Sequence, residues 1–164
     1  MNGKLFYLKC FKEVADIIPS DALNNIRMET AVGEYQNCVF LKLFKRSWAN
    51  PSADIVTSPS RIFFSIWIDL DNDSQLFYNI HALKLRLLKG YKIESRKFAD
   101  HFRTSFSAFE KEWPDVSTSF GPLTLMQGRV NVSQEDVKET AYNLSLSFLE
   151  VQHLIDETLA VFRH

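Results

Sequence analysis

Cysteine, glycine and proline are scarce in this chain of 164 residues. Two cysteines, five glycines and five prolines are too few for a disulfide-stapled scaffold or for long low-complexity linkers. Cys10 and Cys38 lack the CxxC and Cys/His spacings of metal and redox sites, so we expect two reduced thiols. The sequence therefore predicts one globular domain, residues 1–164, located in the cytoplasm.

An excess of charge and long apolar runs are also lacking. The formal net charge is −1, so no overall field draws the molecule to nucleic acid or to an acidic membrane surface. No apolar run approaches the length that spans a bilayer. No small-residue cleavage site follows the N-terminal apolar stretch, so we expect neither a signal peptide nor a membrane partner.

The common signatures of catalysis and metal binding are missing as well. There is no GxSxG elbow, no glycine-rich phosphate loop and no HExxH pair. The acidic run 69–73 has Ser74 and Ile80 where a calcium loop needs Gly and Glu. The sequence predicts no metal and no cofactor, but an enzyme whose residues meet only in three dimensions remains an alternative.

Aromatic residues are abundant, with 14 phenylalanines. Apolar residues at spacings of three and four predict amphipathic helices over residues 4–18 and 22–28, and over 95–113, where Ser95 is the expected N-cap. Ser133 and Asp136 resemble a capping box that opens a last helix of about thirty residues.

Alternating and β-branched residues predict strands over 36–48 and 123–132, the latter broken or bulged near Gly128. Residues 62–70 and 75–88 predict a β-hairpin around a tight turn at 71–74. Residues 50–60 predict a loop. Together these elements predict an α+β fold, in which a small antiparallel sheet with a central hairpin is covered by helices, including a long C-terminal one.

One face of the predicted hairpin is opposite the expected core. It carries Trp67, Asn79 and His81, which we take as candidate binding residues. Because both faces are at least half apolar, a helix or a second subunit should cover part of this face. His81 could act as a general acid or base, but a surface or interface histidine without chemistry is the alternative.

Charge is unevenly distributed along the chain. Residues 81–103 hold seven lysines and arginines against two acids, whereas residues 130–164 hold six acids against two cations. Lys84 and Arg86 are predicted on one strand face, and with Arg96 they suggest a phosphate-binding ribbon within residues 84–103. The alternative is that this segment lies beside the acidic last helix, in one molecule or across a dimer.

Three classes of function follow. The first is a non-catalytic domain that binds a protein or a small apolar ligand through an aromatic surface. The second is a nucleic-acid-binding module that uses residues 84–103. The third is an enzyme that uses His81, Asn79 and Arg86. The long last helix either packs on the sheet or pairs with a second copy, and the aromatic content favours a homodimer.

Overall fold

Five antiparallel strands form one sheet in the order in which they follow one another along the chain. The computed structural model describes residues 3–52 and 54–164. Residues 1, 2 and 53 belong to the predicted domain 1–164 but lie outside the described residues, and the single domain stays a prediction. The strands are β1 (Glu29–Tyr35), β2 (Cys38–Phe44), β3 (Arg61–Asp69), β4 (Asn72–Leu83) and β5 (Thr124–Asn131).

Helices form a second layer against this sheet. They are α1 (Gly3–Ile17), α2 (Ser20–Asn25), α3 (Ser95–Phe106) and α4 (Val137–Val161). Helix α1 packs on β1 and β2, α4 on β3 and β4, and α3 on β5, while α4 also contacts both α1 and α3. These three helices therefore lie side by side on one face of the sheet, and the predicted α+β class with its central hairpin is confirmed.

The hydrophobic core lies between the sheet and these helices. Phe64 of β3 stacks on Phe148 of α4 with 4.5 Å between ring centroids, and it meets Trp48 edge-on at 5.1 Å. All three side chains are fully buried, and burying one such ring contributes roughly 1.5–3 kcal/mol. The other fully buried strand residues on this face include Val39, Leu41, Leu43, Ile66, Ile68, Leu76, Tyr78 and Ile80.

Helix α4 confirms the predicted apolar stripe and buries it within the chain. From Val137 to Leu159 the residues of the predicted stripe are at most 5% exposed, and the helix contacts β3 and β4 of its own sheet. The stripe is thus used for intramolecular packing rather than for pairing with a second copy. The homodimer stays a prediction, and it no longer has this helix as its basis.

The region before β3 differs from the prediction. The strand expected over 36–48 is shorter, because Arg46–Trp48 forms a 3₁₀ turn that places Trp48 in the core. The helix expected over 22–28 is α2, which ends at Asn25. Strand β1 was not predicted, since it is an edge strand with Gly33 at its centre and no fully buried residue to give a clear alternation.

The hairpin turn and the end of its second arm also lie elsewhere. Asn72 pairs with Asp69, so the turn consists of Leu70 and Asp71 rather than residues 71–74. Strand β4 ends at Leu83, because Lys84 adopts a left-handed conformation with φ 48°. The following 3₁₀ turn lets Leu85 enter the core.

Helix α3 is shorter than the predicted 95–113, and its N-cap is Glu94 rather than Ser95. It ends at Phe106, and a 3₁₀ turn over Glu110–Glu112 follows. This turn brings Trp113 back into the core, where its ring centroid lies 4.9 Å from that of Phe148. The aromatic residues keep a helical spacing up to Trp113, although the α-helix itself ends at Phe106.

Gly128 does not mark the irregularity of β5. Ile80 pairs with Met126 and His81 with Thr124, so the register between β4 and β5 shifts at Leu125. Gly128 pairs regularly with Tyr78. A Cβ atom on Gly128 would overlap the Tyr78 hydroxyl and lie 2.8 Å from the carbonyl oxygen of Pro114. Glycine is therefore required here for close packing, not for a bulge.

The predicted capping box is not formed. The Ser133 hydroxyl donates to the Asp136 carboxylate at 2.9 Å, and no side chain caps the first turn of α4. The helix begins at Val137 and has 25 residues instead of about thirty.

Arg103 connects α3 to the chain that enters β5. Its guanidinium donates to four backbone carbonyls at 2.9–3.0 Å, those of Phe120, Gly121, Thr124 and Leu125. The planar five-donor group of arginine suits such multiple bonding. One cation of the basic segment is therefore structural.

Candidate binding site

The sheet face opposite the helices is open, and its side chains form rows across the strands. Alternate residues of a strand point to opposite faces, so the pairing register decides which of them meet. The polar row consists of Lys42, Ser65, Asn79 and Gln127, each directly opposite the next. The aromatic row, two residues along each strand, consists of Phe40, Trp67 and Phe77, with Arg129 at its end.

Most residues of these rows line a recess of about 720 Å³, which we call the open-face recess. Phe77 and Arg129 line a smaller neighbouring recess of about 250 Å³ instead. Phe63 and His81, opposite one another on β3 and β4, form a further part of the wall of the open-face recess. Val56 and Thr57 from the 3₁₀ turn Ile55–Thr57 close one end, and the β1–β2 turn closes the other. The volume lies within the range of small-molecule sites, about 300–1,000 Å³.

Trp67 forms a flat apolar part of the recess wall, and Phe77 lies behind it outside the recess. Trp67 and Phe77 are stacked, with 5.4 Å between centroids and 18° between planes. Both are only partly buried, in contrast to the fully buried rings on the helix side. The part of the Trp67 ring that is not buried provides a stacking surface in the recess for another planar apolar group.

Two cations lie against the ring of Phe63. Lys42 Nζ is 4.6 Å from its centroid and 4.5 Å from that of Phe40, while the Arg61 guanidinium carbon is 5.0 Å from the Phe63 centroid. No ion pair between described residues includes either cation. Burial lowers the pKa of Lys42, the charge of Arg61 lowers it further, and Asp54 opposes both effects.

Arg61 is only partly satisfied by the chain. One terminal nitrogen donates to the Ser58 carbonyl at 2.5 Å, but the Nε–H is buried and has no partner among the described residues. Burial lowers the pKa of Arg61, and Asp54 raises it. Asp54 acts from the exposed rim, where its carboxylate accepts from the Val56 amide at 3.1 Å.

Asn79 lies in the floor of the recess and is 1% exposed. Its Nδ2 donates to Gln127 Oε1 at 3.1 Å and lies 3.0 Å from His81 Nε2. Its Oδ1 is buried without a partner among the described residues. A buried acceptor without a donor costs about 1–3 kcal/mol, so the fold retains an unfavourable group here.

The protonated form of His81 is disfavoured at the edge of the recess. Burial lowers its pKa most, a backbone hydrogen bond to Leu123 opposes this effect, and the charges of Lys42 and Arg61 lower the pKa further. The hydrogen bond to Leu123 uses the proton of the other ring nitrogen, so Nε2 of the neutral ring accepts from the Asn79 amide. This requirement fixes the orientation of the Asn79 carboxamide, with nitrogen toward His81 and oxygen away from it.

The polar row contains one hydroxyl group, that of Ser65. Ser65 lies between Lys42 and Asn79 in the polar row, yet no hydrogen bond between described residues joins its hydroxyl to Lys42 or His81. A catalytic serine needs a base within hydrogen-bond reach. The described part of the chain also contains no group of three His, Cys, Asp or Glu side chains placed to hold a metal ion.

The structure brings together three of the six residues proposed from sequence. Trp67, Asn79 and His81 all line the recess. Lys84 and Arg86 do not line it. Lys84 is the left-handed residue that ends β4, and Arg86 lies in the 3₁₀ turn that follows, so their predicted place on one strand face is wrong. Arg96 lies exposed on α3.

Sequence reasoning missed Lys42, Arg61, Phe40 and Gln127 as site residues. The alternation of β2 did place Phe40 and Lys42 on one face. That signal does not identify a site until the register shows that Lys42 is opposite Ser65 and Phe40 opposite Trp67.

The basic segment meets the end of α4 through its backbone. The Lys92 amide donates to the Phe162 carbonyl at 2.8 Å, and the His164 amide donates to that of Gly90 at 3.0 Å. The ion pairs recorded between described residues include none from this segment to an acid of α4. Lys84, Arg86, Lys89, Lys92 and Arg96 are exposed.

No protein-family model, curated protein or solved structure matches the chain. No helix in the described ranges has both the length and the apolarity to cross a membrane.

Proposed function

We propose that this protein is a non-catalytic binding domain whose open-face recess takes an anionic ligand with a flat aromatic body. The observation that carries the proposal is the pair Lys42 and Arg61, which share the Phe63 ring without a carboxylate in ion-pair contact among the described residues. A binding domain with an aromatic surface was also the first function expected from the sequence.

Electrostatics supports the anionic group. Two like charges that are partly removed from water oppose folding, both by desolvation and by mutual repulsion. Asp54 offsets them only from the rim. An anion between Lys42 and Arg61 would form charge-assisted hydrogen bonds, which are about twice as strong as neutral ones.

The aromatic row supports the flat body. Trp67 lines the recess and is only partly buried, and Phe77 stacks on it from the neighbouring strand. A planar ligand can therefore stack on Trp67 while its acid group reaches Lys42. An aromatic pair contributes about 0.5–1.5 kcal/mol beyond its area burial. The recess has room for such a molecule, at about 720 Å³.

Anilinonaphthalene sulfonate is a direct probe, because it is aromatic, anionic and fluorescent when bound. We expect it to bind the full chain, and Lys42→Met or Arg61→Met to weaken binding about tenfold, as for a lost charged hydrogen bond. The neutral analogue phenylnaphthylamine should bind wild type and variants alike. The matched control is Lys84→Met, an exposed lysine outside the recess.

Equal sulfonate affinities for Lys42→Met, Arg61→Met and Lys84→Met would refute the proposal. The comparison with the neutral analogue separates recognition of the acid group from general adsorption of the dye to apolar surface.

Nucleic-acid binding is a second candidate, supported by the exposure of Lys84, Arg86 and Arg96. It predicts that affinity for single-stranded oligonucleotide falls steeply with salt, and falls again in the double variant Lys84→Glu, Arg86→Glu. Binding that is absent or independent of salt would remove this candidate.

The cytoplasmic location and the homodimer also stay proposals. Light scattering of the full chain at micromolar concentration tests the homodimer, which predicts twice the mass of 19.0 kDa.

A further inference from the structure

The floor of the open-face recess holds an acceptor that the protein does not use. Asn79 Oδ1 has no partner among the described residues, although the side chain is 1% exposed. The Nδ2 of the same group is fully occupied, since its two hydrogens point to His81 Nε2 and Gln127 Oε1. The carboxamide therefore presents its oxygen on the side away from those two partners.

The place of Asn79 relates this acceptor to the cations. Lys42, Ser65 and Asn79 are neighbours on adjacent strands, and strands are about 4.8 Å apart, so the backbones of Lys42 and Asn79 are separated by ~10 Å. The lysine side chain covers part of this distance. A small aromatic acid can span the rest, from its carboxylate to a donor on its ring. One ligand can therefore meet both groups.

We infer that the natural ligand is an aromatic carboxylic acid that also carries an N–H or O–H donor on its ring system. Its carboxylate binds Lys42 and Arg61, its ring stacks on Trp67, and its donor satisfies Asn79 Oδ1. This inference rests on the proposed function and adds the donor to it. Because a site with a buried, unpaired polar group discriminates strongly against analogues that leave it unpaired, the acceptor acts as the specificity determinant.

Calorimetric titration of the full chain with two acids of nearly equal shape tests the donor. Indole acetate carries a ring N–H, and benzothiophene acetate replaces it by sulfur without added bulk. We expect the indole acid to bind about tenfold more tightly, the effect of one buried hydrogen bond with its penalty. Equal affinities, or no binding of either acid, would overturn the inference.

The variant Asn79→Leu assigns the preference to this residue. It should bind the two acids equally, because the acceptor is gone, and a retained tenfold preference would contradict the assignment. Asn79→Leu also removes the bonds to His81 and Gln127. If circular dichroism shows that it does not fold, the two acids on wild type still decide the question.

The two proposals can fail separately. If both acids bind equally and Lys42→Met weakens both, the recess is a site for aromatic anions and only the donor is refuted. If Lys42→Met and Arg61→Met also leave the affinity for anilinonaphthalene sulfonate unchanged, the proposed function itself is wrong.

Discussion

The two faces of the sheet are built from alternate residues of the same strands, yet they have opposite character. Phe64 is fully buried among Trp48 and Phe148, whereas its neighbour Phe63 lies against two cations. Gln152 Oε1 in α4 and Asn79 Oδ1 on the open face are both buried without a partner among the described residues. The open face differs because its cations Lys42 and Arg61 also have no ion pair with a described residue. The helix face therefore holds the core that stabilises the fold, and the open face carries the recess for which we propose a binding role.

The largest expected contrast is between rings on the two faces. Phe64→Ala should lower the free energy of unfolding by about 3–5 kcal/mol, since it leaves a cavity in the core. Phe77→Ala, on the open face but outside the recess, should cost about 1 kcal/mol or less. It should also weaken binding of anilinonaphthalene sulfonate, because Trp67 loses the ring on which it stacks. Chemical denaturation followed by circular dichroism measures both, and equal losses would contradict the division between the faces.

Glycine substitutions sharpen the contrast on the helix side. Gly128→Ala should destabilise the protein by about 1–3 kcal/mol, because the new methyl group overlaps the buried Tyr78 hydroxyl. Gly121→Ala is the matched control, since nothing lies within 4 Å of its Cβ position. Thermal unfolding of the two variants should differ clearly, and similar midpoints would show that Tyr78 can move aside.

Lys45 and Lys42 allow a comparison between a lysine in an ion pair and one without an ion pair among the described residues. Lys45 donates to Asp156 of α4 at 2.5 Å, and the same carboxylate accepts from Trp48 Nε1 at 2.8 Å. Lys45→Met should therefore cost about 1 kcal/mol. Lys42→Met should leave stability unchanged or raise it by up to about 1 kcal/mol, because it removes a partly buried cation without an ion-pair partner. Denaturant midpoints check this, and a large loss in Lys42→Met would assign that lysine a structural role.

The smallest expected effect is a pH dependence from His81. Its pKa is lowered below the ordinary 6.5 mainly by burial, so the unfolded chain binds more protons than the folded one below about that pH. Stability therefore falls as the pH drops through this window. His81→Gln should lose less stability than wild type on acidification from about pH 7.5 to 5.5, and the exposed control His101→Gln should behave like wild type. If His81→Gln and wild type lost the same stability over this pH range, burial of the His81 ring would not disfavour its protonation.

Much of the fold could be predicted because the amphipathic periods of α1, the β3–β4 hairpin and α4 are long and regular. Strand β1 could not, since an edge strand without a buried face gives no such period. The site was half visible: alternation placed Trp67, Asn79 and His81 on one face. Its cations were not, because a contact between Arg61 and Phe63 or between Lys42 and Phe63 depends on register and side-chain direction, which local sequence does not encode.

The bonds of Arg103 have a consequence for local opening. One guanidinium on α3 serves four carbonyls of residues 120–125, so fraying of α3 leaves all of them without this donor at once. The last turn of α3 and the entry to β5 should therefore exchange their amide hydrogens as one cooperative unit. The His81 end of the open face, which pairs with Thr124, thus depends for its rigidity on a helix that lies on the other side of the sheet.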